Sequence, residues 1–553
     1  MKHLSLSILS LALVATLTFA ADPKIARDLD KADPASTADV IIQFKDAPTD
    51  AQHKKVAERG GIHKSTLKSA KAGVYTIPVS ALKDLANDPE VVYISPDRKL
   101  HGMLDNTTNA VNAATAWNAG YTGSGIGVAV IDSGVTLDSD LTNTLVNQSY
   151  VTNDAHDYYG HGTHVAGIIA GTGAHSHCYQ CTRNLQGLAP GAKIINLRVL
   201  DQNGEGSDSN VIAAIDEAIS LKATYNIRVI NLSLGRPVYE SYAQDPLCHA
   251  VEEAWKAGIV VVAAAGNNGR SNPSGNYGYG TIMAPGNDPY VITVGATNTV
   301  ETYTRTDDKM TSYSSKGPTA IDHIVKPDLV APGNHVVSLY DQSGSLYNSY
   351  PGNMVANDYL MNNGDTSPSG LYFTLSGTSM ATPVVSGAVA LLLQAHPTLT
   401  PDQVKAKLML TAWKGLPKVS IATDPVTGIT YAMQSDAFTV GAGYLDIAAA
   451  LADTTSFSGT ANSPVATYNS SSGVTALVCS SSSVCAASVT STKTVWGAAS
   501  IWGSASVFGS SSVNANKTVW GAKTIWGATS VLGDSVTASE ASESVSTTIN
   551  GEN

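Results

Sequence analysis

Between about residues 108 and 453 the chain repeats one pattern, and that pattern restricts its fold more than any other feature. Apolar, β-branched runs such as GVAVIDSG (127–134), KIINLRVLD (193–201), VINLSLG (229–235), IVVVAAAGNNG (259–269) and YVITVGAT (290–297) end in or near Gly, Asp or Asn. Stretches with helical periodicity, among them SNVIAAIDEAISLKA and LCHAVEEAWKAG, stand between them. A strand that is apolar along its whole length has both faces covered, and the alternating helices supply the cover. The pattern predicts an α/β fold with a parallel sheet between helical layers. In such sheets functional groups gather at the carboxyl ends of the strands.

The flanking regions differ from this body. Residues 38–104 alternate short strand patterns (DVIIQFK, AGVYTIPV, EVVYISP) with two helical stretches, which predicts a separate, compact and more charged α+β module. Residues 454–553 turn to Ser, Thr, Ala and Gly, with only four charged side chains between Ser456 and Val536. Within them Val495, Ile501, Val507, Val513, Val519, Ile525 and Val531 recur every six positions, and four of the seven tryptophans lie among these hexads (495–533). An even period keeps every repeat in one orientation on a strand, which suggests stacked short β units. Surface binding or self-association is the functional reading of this tail; a structural cap or a disordered linker is the plain one.

The first twenty residues read as a secretory signal: Lys2 and His3 precede an apolar run to Phe19, with small residues at the cleavage positions. Retention as an N-terminal anchor is the alternative, and no later stretch reads as long and apolar enough to cross a membrane. Charged residues make up 14% and the net charge is −12, so the clustered basic face of a nucleic-acid binder is not expected. Five cysteines in an exported chain suggest disulfides with one thiol left over. Cys178 with Cys181 and Cys479 with Cys485 are local pairs, leaving Cys248. His175 and His177 beside the first pair admit zinc, but four ligands within seven residues leave little slack for a tetrahedral site, which favours a small disulfide loop.

Four polar positions stand at strand ends or helix starts. Asp132 closes the strand GVAVID, where a buried carboxylate needs a partner. His161 opens HGTHVAGIIAG, 29 positions later, and His164 reads as a packed structural histidine, since no Glu or third ligand completes a metal motif. Asn267 follows a strand in AAAGNNGR, and Ser379 leads into the apolar helix of TLSGTSMATPVVSG. Singly, each residue is more often a cap or a turn former. Together they supply a nucleophile, a base, an orienting carboxylate and an oxyanion donor. The order Asp, His, Ser is one of the recorded triad orders and differs from that of the nucleophile elbow.

Across about residues 110–450 the chain strongly resembles the subtilisin-like serine proteases (subtilases), because VIDSGV, HGTHVAG, NLSLG, AAAGNNG and GTSMATP match that family's signatures in order. The resemblance implies Asp132, His161 and Ser379 as the triad, with Asn267 and the Ser379 backbone N–H as oxyanion donors. It implies Ser233, Leu234 and Gly235, and Ala264, Ala265 and Gly266, as walls that bind substrate as an added strand. It further implies a secreted serine endopeptidase acting on proteins or peptides through an acyl-enzyme. The 38–104 module would then be a ferredoxin-like propeptide that inhibits, assists folding and is removed by self-cleavage near residues 100–108. No cofactor is needed for this chemistry and no metal ligand is assigned; structural calcium is admitted without a site, since the Cys178–Cys181 insertion replaces the loop that often holds it. Val384 stands where many members have a histidine, which implies altered packing and retained activity. An insertion of about residues 340–372 stands where it would overhang the cleft. A non-enzymatic binding protein on a degenerate scaffold, which labelling by an active-site serine reagent separates, and a structural envelope component carrying an incidental protease domain are the competing readings.

Overall fold

The structure, a computed structural model, describes residues 24–26, 29, 33–67, 71–96, 104–271, 277–469, 474–478 and 546–552. The stretch read as a secretory leader, the Cys479 and Cys485 pair and the hexads of 495–533 lie outside the described residues. The chain divides into two units, residues 1–100 and 101–553.

In the small unit β1 (Thr37–Phe44), α1 (Asp50–Ala57), β2 (Ile62–Leu67), β3 (Ala72–Pro78), α2 (Leu82–Ala86) and β4 (Val91–Pro96) follow in chain order. The strands form one antiparallel sheet in the order β2-β3-β1-β4. Along β1 the residues that face the core, Val40, Ile42 and Phe44, alternate with more exposed ones, as expected of a sheet with one covered face. Tyr75, Ile77, Leu82 and Leu85 complete its core.

The large unit opens with helices α3 (Leu104–Ala110) and α4 (Ala113–Asn118). Its main sheet is built from β5 (Gly127–Asp132), β6 (Thr144–Ser149), β7 (Lys193–Arg198), β8 (Ile227–Leu232), β9 (Val260–Ala264), β10 (Ile292–Asn298), β11 (Lys309–Met310) and β12 (Leu329–Pro332). The strand order is β11-β10-β9-β8-β5-β7-β6, with β12 beside β10 and every pair parallel except β10 with β11. Every residue of β5, β9 and β10 is buried, so both sheet faces are covered, as the sequence pattern predicts. The cover includes two helix pairs: α5 (His161–Ala170) packs on α10 (Thr378–Ala395), and α6 (Asp208–Tyr225) on α7 (Pro246–Lys256). The start of α6 is set by Ser207, whose side chain accepts from Asn210 N, and that of α7 by Asp245 followed by proline.

Helix α10 corrects one sequence expectation. By length and composition it could cross a membrane, yet 83% of it is buried inside the unit. Its apolarity serves packing on β8, β9, β10 and α5, and Val384 is one of its fully buried residues. The 340–372 insertion contributes α8 (Ser345–Ser349), α9 (Asn357–Met361) and a small sheet in which β15 (Pro368–Leu375) pairs with both β13 (Val336–Leu339) and β14 (Met354–Ala356).

The large unit continues beyond residue 453. Ser463 donates to Asp328 and accepts from Lys405 Nζ, and the Val465–Asn469 strand, paired with Val474–Val478, is joined to the unit through Val325 N to Pro464 O and Ala466 N to His323 O. Residues 546–552 also lie on this unit: Ile549 joins its main hydrophobic core and Ser376 N donates to Thr548 O at 2.8 Å.

Candidate active site

Three neighbouring parallel strands, β9, β8 and β5, bring Asn267, Ser233 and Asp132 to one edge of the sheet, because all three strands end there. Asp132 is the last residue of β5 and is fully buried. Its Oδ1 lies 2.7 Å from His161 Nδ1 and also accepts the Ser133 N–H at 2.7 Å. His161 starts α5, and Gly162 explains how that helix comes so close to β5. A Cβ at Gly162 would stand 2.1 Å from Gly134 O and 3.2 Å from Asp132 Cβ, so a side chain there would push the imidazole away from its carboxylate.

Burial alone would lower the affinity of His161 for a proton. The adjacent Asp132, by its charge and its hydrogen bond, outweighs this and raises the imidazole pKa above the usual 6.5, with a further contribution from Asp157. A carboxylate bonded to Nδ1 also leaves Nε2 free of the proton, the tautomer a general base requires. His164, one turn along the same helix, is pushed down to about 3 by burial and by the charge of His161. Its Nε2 lies 3.1 Å from the carbonyls of Val336 and Phe373, so it is a packed structural residue, as expected.

Ser379 sits in the first turn of α10, where backbone N–H groups have no intrahelical acceptor. Gly377 precedes it with φ 144°, and its hydrogen stands where a Cβ would meet Asn267 Nδ2 at 3.1 Å. The Asn267 amide is fixed in one orientation: its Oδ1 accepts from Thr378 N at 2.9 Å and from Thr378 Oγ1 at 3.0 Å. Its Nδ2 therefore points away from these donors and is left to donate to an incoming oxygen. The Ser379 hydroxyl donates to Ser233 O at 3.0 Å, and no hydrogen bond joins it to His161. The hydroxyl has to leave Ser233 O to engage the base, and such loose geometry is common before substrate binds.

His161, Asn267, Ser379, Ser233, Leu234 and Gly235 line one cavity of about 340 Å³. A more open depression of about 580 Å³, flanked by Tyr158, Arg198 and Ser343, holds none of them. Ala264, Ala265 and Gly266 do not line the cavity. Their backbone is engaged internally: Ala265 N bonds Val294 O, Ala265 O accepts from Met283 N, and Gly266 N bonds Thr378 Oγ1. Of the two expected walls, the Ser233–Gly235 wall is the one brought to the cavity. The insertion meets the chain leading to His161, where Ser345 N and Leu346 N donate to Tyr158 O and Tyr159 O.

Three supporting residues escaped the sequence reading. Thr378 orients the Asn267 amide. Asp157, fully buried, accepts from Ser133 Oγ, Gly160 N, Thr163 N and Thr163 Oγ1 and so caps the helix that carries His161. Burial raises the Asp157 pKa while those four hydrogen bonds oppose it. Thr548, far along the chain, also lines the cavity. Proximity to Ser379 and a position four residues before His161 were available signals for the first two; Thr548 had none.

Cys178 and Cys181 form a disulfide with their Cα atoms 4.9 Å apart, the small loop expected from their spacing. Among the described residues Asp138, Asp140 and His175 bring ligand atoms within 4.8 Å of one another. They do not suit calcium: Asp140 already accepts from Thr172 Oγ1, Ala174 N and His175 N, and His175 offers nitrogen where calcium takes oxygen.

A hydroxyl, an imidazole and an amide donor around one cavity, with a carboxylate buried behind the imidazole, can perform acyl transfer through a covalent intermediate. Comparison with known proteins agrees. Residues 123–443 match the model of peptidase S8, described as the subtilase family. Serine protease AprX of Bacillus subtilis (strain 168) is 37% identical over 331 residues, 57% of this chain and 68% of that protein. Subtilisin E of the same organism is 34% identical over 382 residues, 67% and 84% of the two chains. An extracellular serine proteinase of Thermus sp. (strain Rt41A) is 32% identical over 352 residues, 61% and 69%.

Proposed function

The chain belongs to the subtilase family and is a serine endopeptidase, and from that premise we propose that it is a secreted enzyme, made as a zymogen, whose triad is Asp132, His161 and Ser379. The observation that carries the assignment is that His161, Ser379 and Asn267 line one cavity, with the buried Asp132 Oδ1 2.7 Å behind His161 Nδ1.

In this reading, Ser379 Oγ attacks the scissile carbonyl while His161 Nε2 takes its proton, and Asp132 stabilises the imidazolium that results. The negative charge moves to the carbonyl oxygen, which Asn267 Nδ2 and the Ser379 N–H receive. Collapse breaks the C–N bond, and His161 returns the proton to the leaving amine. Water then attacks the acyl-enzyme by the same route and frees the carboxylate product. Substrate lies along Ser233–Gly235 as an added strand, and the small unit acts as propeptide until it is cut away near residues 100–108. Surface contact or self-association is the role proposed for the hexads.

Ser379→Ala removes the nucleophile. Purified variant protein is expected to hydrolyse no peptide, to resist an active-site serine reagent and to keep residues 33–96 joined to the rest. Propeptide removal by the pure variant would refute self-cleavage. Asn267→Ala is expected to lower kcat about 10²–10³-fold, a range carried over from subtilisin rather than obtained from this chain.

A further inference from the structure

The Asn267 amide sits on a loop without regular structure, and that loop is fixed at both ends. On the near side Gly266 N bonds Thr378 Oγ1 and Gly266 O accepts from Ser315 N. On the far side Gly269 N donates to Tyr313 O at 2.7 Å, and Arg270 anchors the loop with its guanidinium. Arg270 Nε donates to Ser312 Oγ at 2.7 Å, one terminal nitrogen reaches Asp424, and the other lies 3.0 Å from Glu552 Oε2.

Glu552 belongs to residues 546–552 and stands 157 positions beyond the end of α10 at Ala395. Its carboxylate ties two segments together, since Oε1 also accepts the Ser312 N–H at 2.8 Å. Its backbone is clamped: Glu552 N donates to Asn334 Oδ1 at 3.0 Å, and its carbonyl accepts from Asn334 Nδ2 at 2.8 Å and Asn298 Nδ2 at 3.2 Å. The Arg270 side chain is 2% exposed and that of Glu552 is 0% exposed, so water can replace neither partner. The same short segment touches the nucleophile's side of the cleft. Thr548 O accepts from Ser376 N, three residues before Ser379, and Ile549 O accepts from Asn353 of the insertion at 2.5 Å.

We propose that Glu552 is a positioning residue for the Asn267 amide, acting through Arg270, and that residues 546–552 form a working part of the substrate cleft. The inference rests on Asn267 being the oxyanion donor. Without the carboxylate, the guanidinium loses one of its three anchors in a site closed to water. It then shifts toward Asp424 and draws the 267–270 turn with it. Oxyanion stabilisation depends on donor placement to within a fraction of an ångström, so a small displacement lowers turnover and leaves substrate binding along Ser233–Gly235 intact.

The test is a double-mutant cycle in the full chain, with kcat and KM measured on a chromogenic peptide substrate. Glu552→Gln is expected to lower kcat about tenfold, a part of what loss of the donor costs, with KM within about twofold of the parent. Asn267→Ala with Glu552→Gln is expected to be no slower than Asn267→Ala alone. Losses that multiply, or an unchanged kcat in Glu552→Gln beside a slow Asn267→Ala, overturn the inference. An unchanged kcat in Asn267→Ala overturns the donor assignment itself, and this inference with it. Ser312→Ala removes a hydroxyl from both Arg270 and Glu552 and strands no charge, so it serves where Glu552→Gln fails to fold. It is expected to lower kcat several-fold, again without effect in the Asn267→Ala background, and a parental kcat in this variant overturns the inference.

Discussion

The two units solve the problem of burying a sheet in opposite ways. In the small unit β1 hides every second residue, and the ion pairs, Lys55 with Asp88 and Arg59 with Asp84, sit partly in water. In the large unit β5 hides every residue, and the ion pairs Lys326–Asp328, Lys405–Asp328 and Arg270–Glu552 are out of solvent. Exposed pairs are worth at most about 1 kcal/mol each, whereas a buried pair costs much to break and fixes geometry. The small unit is therefore held by a thin core, and the large one by a thick core with rigid polar joints. On the proposed zymogen reading, this is the contrast expected between a part to be discarded and a part that must hold four groups in register.

The strongest way to break the contrast is Ser379→Ala. If the small unit is substrate and the large unit enzyme, the loss of all hydrolysis and the persistence of the joined chain appear together, read by peptide assay and mass spectrometry. Next are paired core truncations. Ile42→Ala and Ile195→Ala each remove a fully buried side chain and cost about 2–5 kcal/mol. A module the size of the small unit has roughly 3–10 kcal/mol in all, so Ile42→Ala is expected to abolish its thermal transition, while Ile195→Ala only lowers that of the large unit. Calorimetry of the Ser379→Ala chain separates the two.

Acid sharpens the comparison further. Folded His164 stays neutral down to about pH 3, whereas an unfolded histidine takes a proton below about 6.5. At this site the unfolded state then binds more protons, so the contribution of His164 to stability falls as pH drops through this window, by up to about 1.4 kcal/mol per pH unit, while the buried Asp288 and Asp308, both raised to about 7, act in the opposite sense. His53 of the small unit is shifted in the same direction by burial and by His63, but it is partly exposed and contributes less. Replacing the imidazole, as in His164→Gln, is expected to make the large unit's unfolding midpoint fall less, or rise more, between pH 7 and pH 5 than it does in the parent chain. For activity the sign is set by His161: the base must be neutral, so kcat/KM rises with pH through a pKa above 6.5. Asp132→Asn removes the charge that chiefly raises it, leaves burial opposed by the smaller contribution of Asp157, and moves that inflection down.

The smallest effect concerns Cys248. Buried, and with its thiol pKa pushed up by that burial, it is expected to stay silent toward thiol reagents in the native protein and to react once the large unit opens.

Much of this was legible in the sequence because it is local. The runs ending at Asp132 and Leu232 announce buried parallel strands, and each functional side chain follows within a few residues of a strand end or helix start. What could not be read is what depends on contacts made far along the chain. Ala264–Gly266 look like Ser233–Gly235 as text, yet their backbone is consumed by Val294, Met283 and Thr378. Glu552 sits in a Ser-rich stretch with no periodicity, and its partner Arg270 lies 282 positions away.

The chain between residues 478 and 546 is flanked by two attachments to the same unit, the Val465–Asn469 strand before it and the Glu552 segment after it. While the chain is continuous, that segment meets its site as part of the same molecule, whatever the protein concentration. A single cut between these attachments would turn it into a separate ligand, and occupancy would then fall on dilution. On the proposed role of Glu552, an enzyme nicked there would keep full turnover in concentrated solution and slow, reversibly, when diluted.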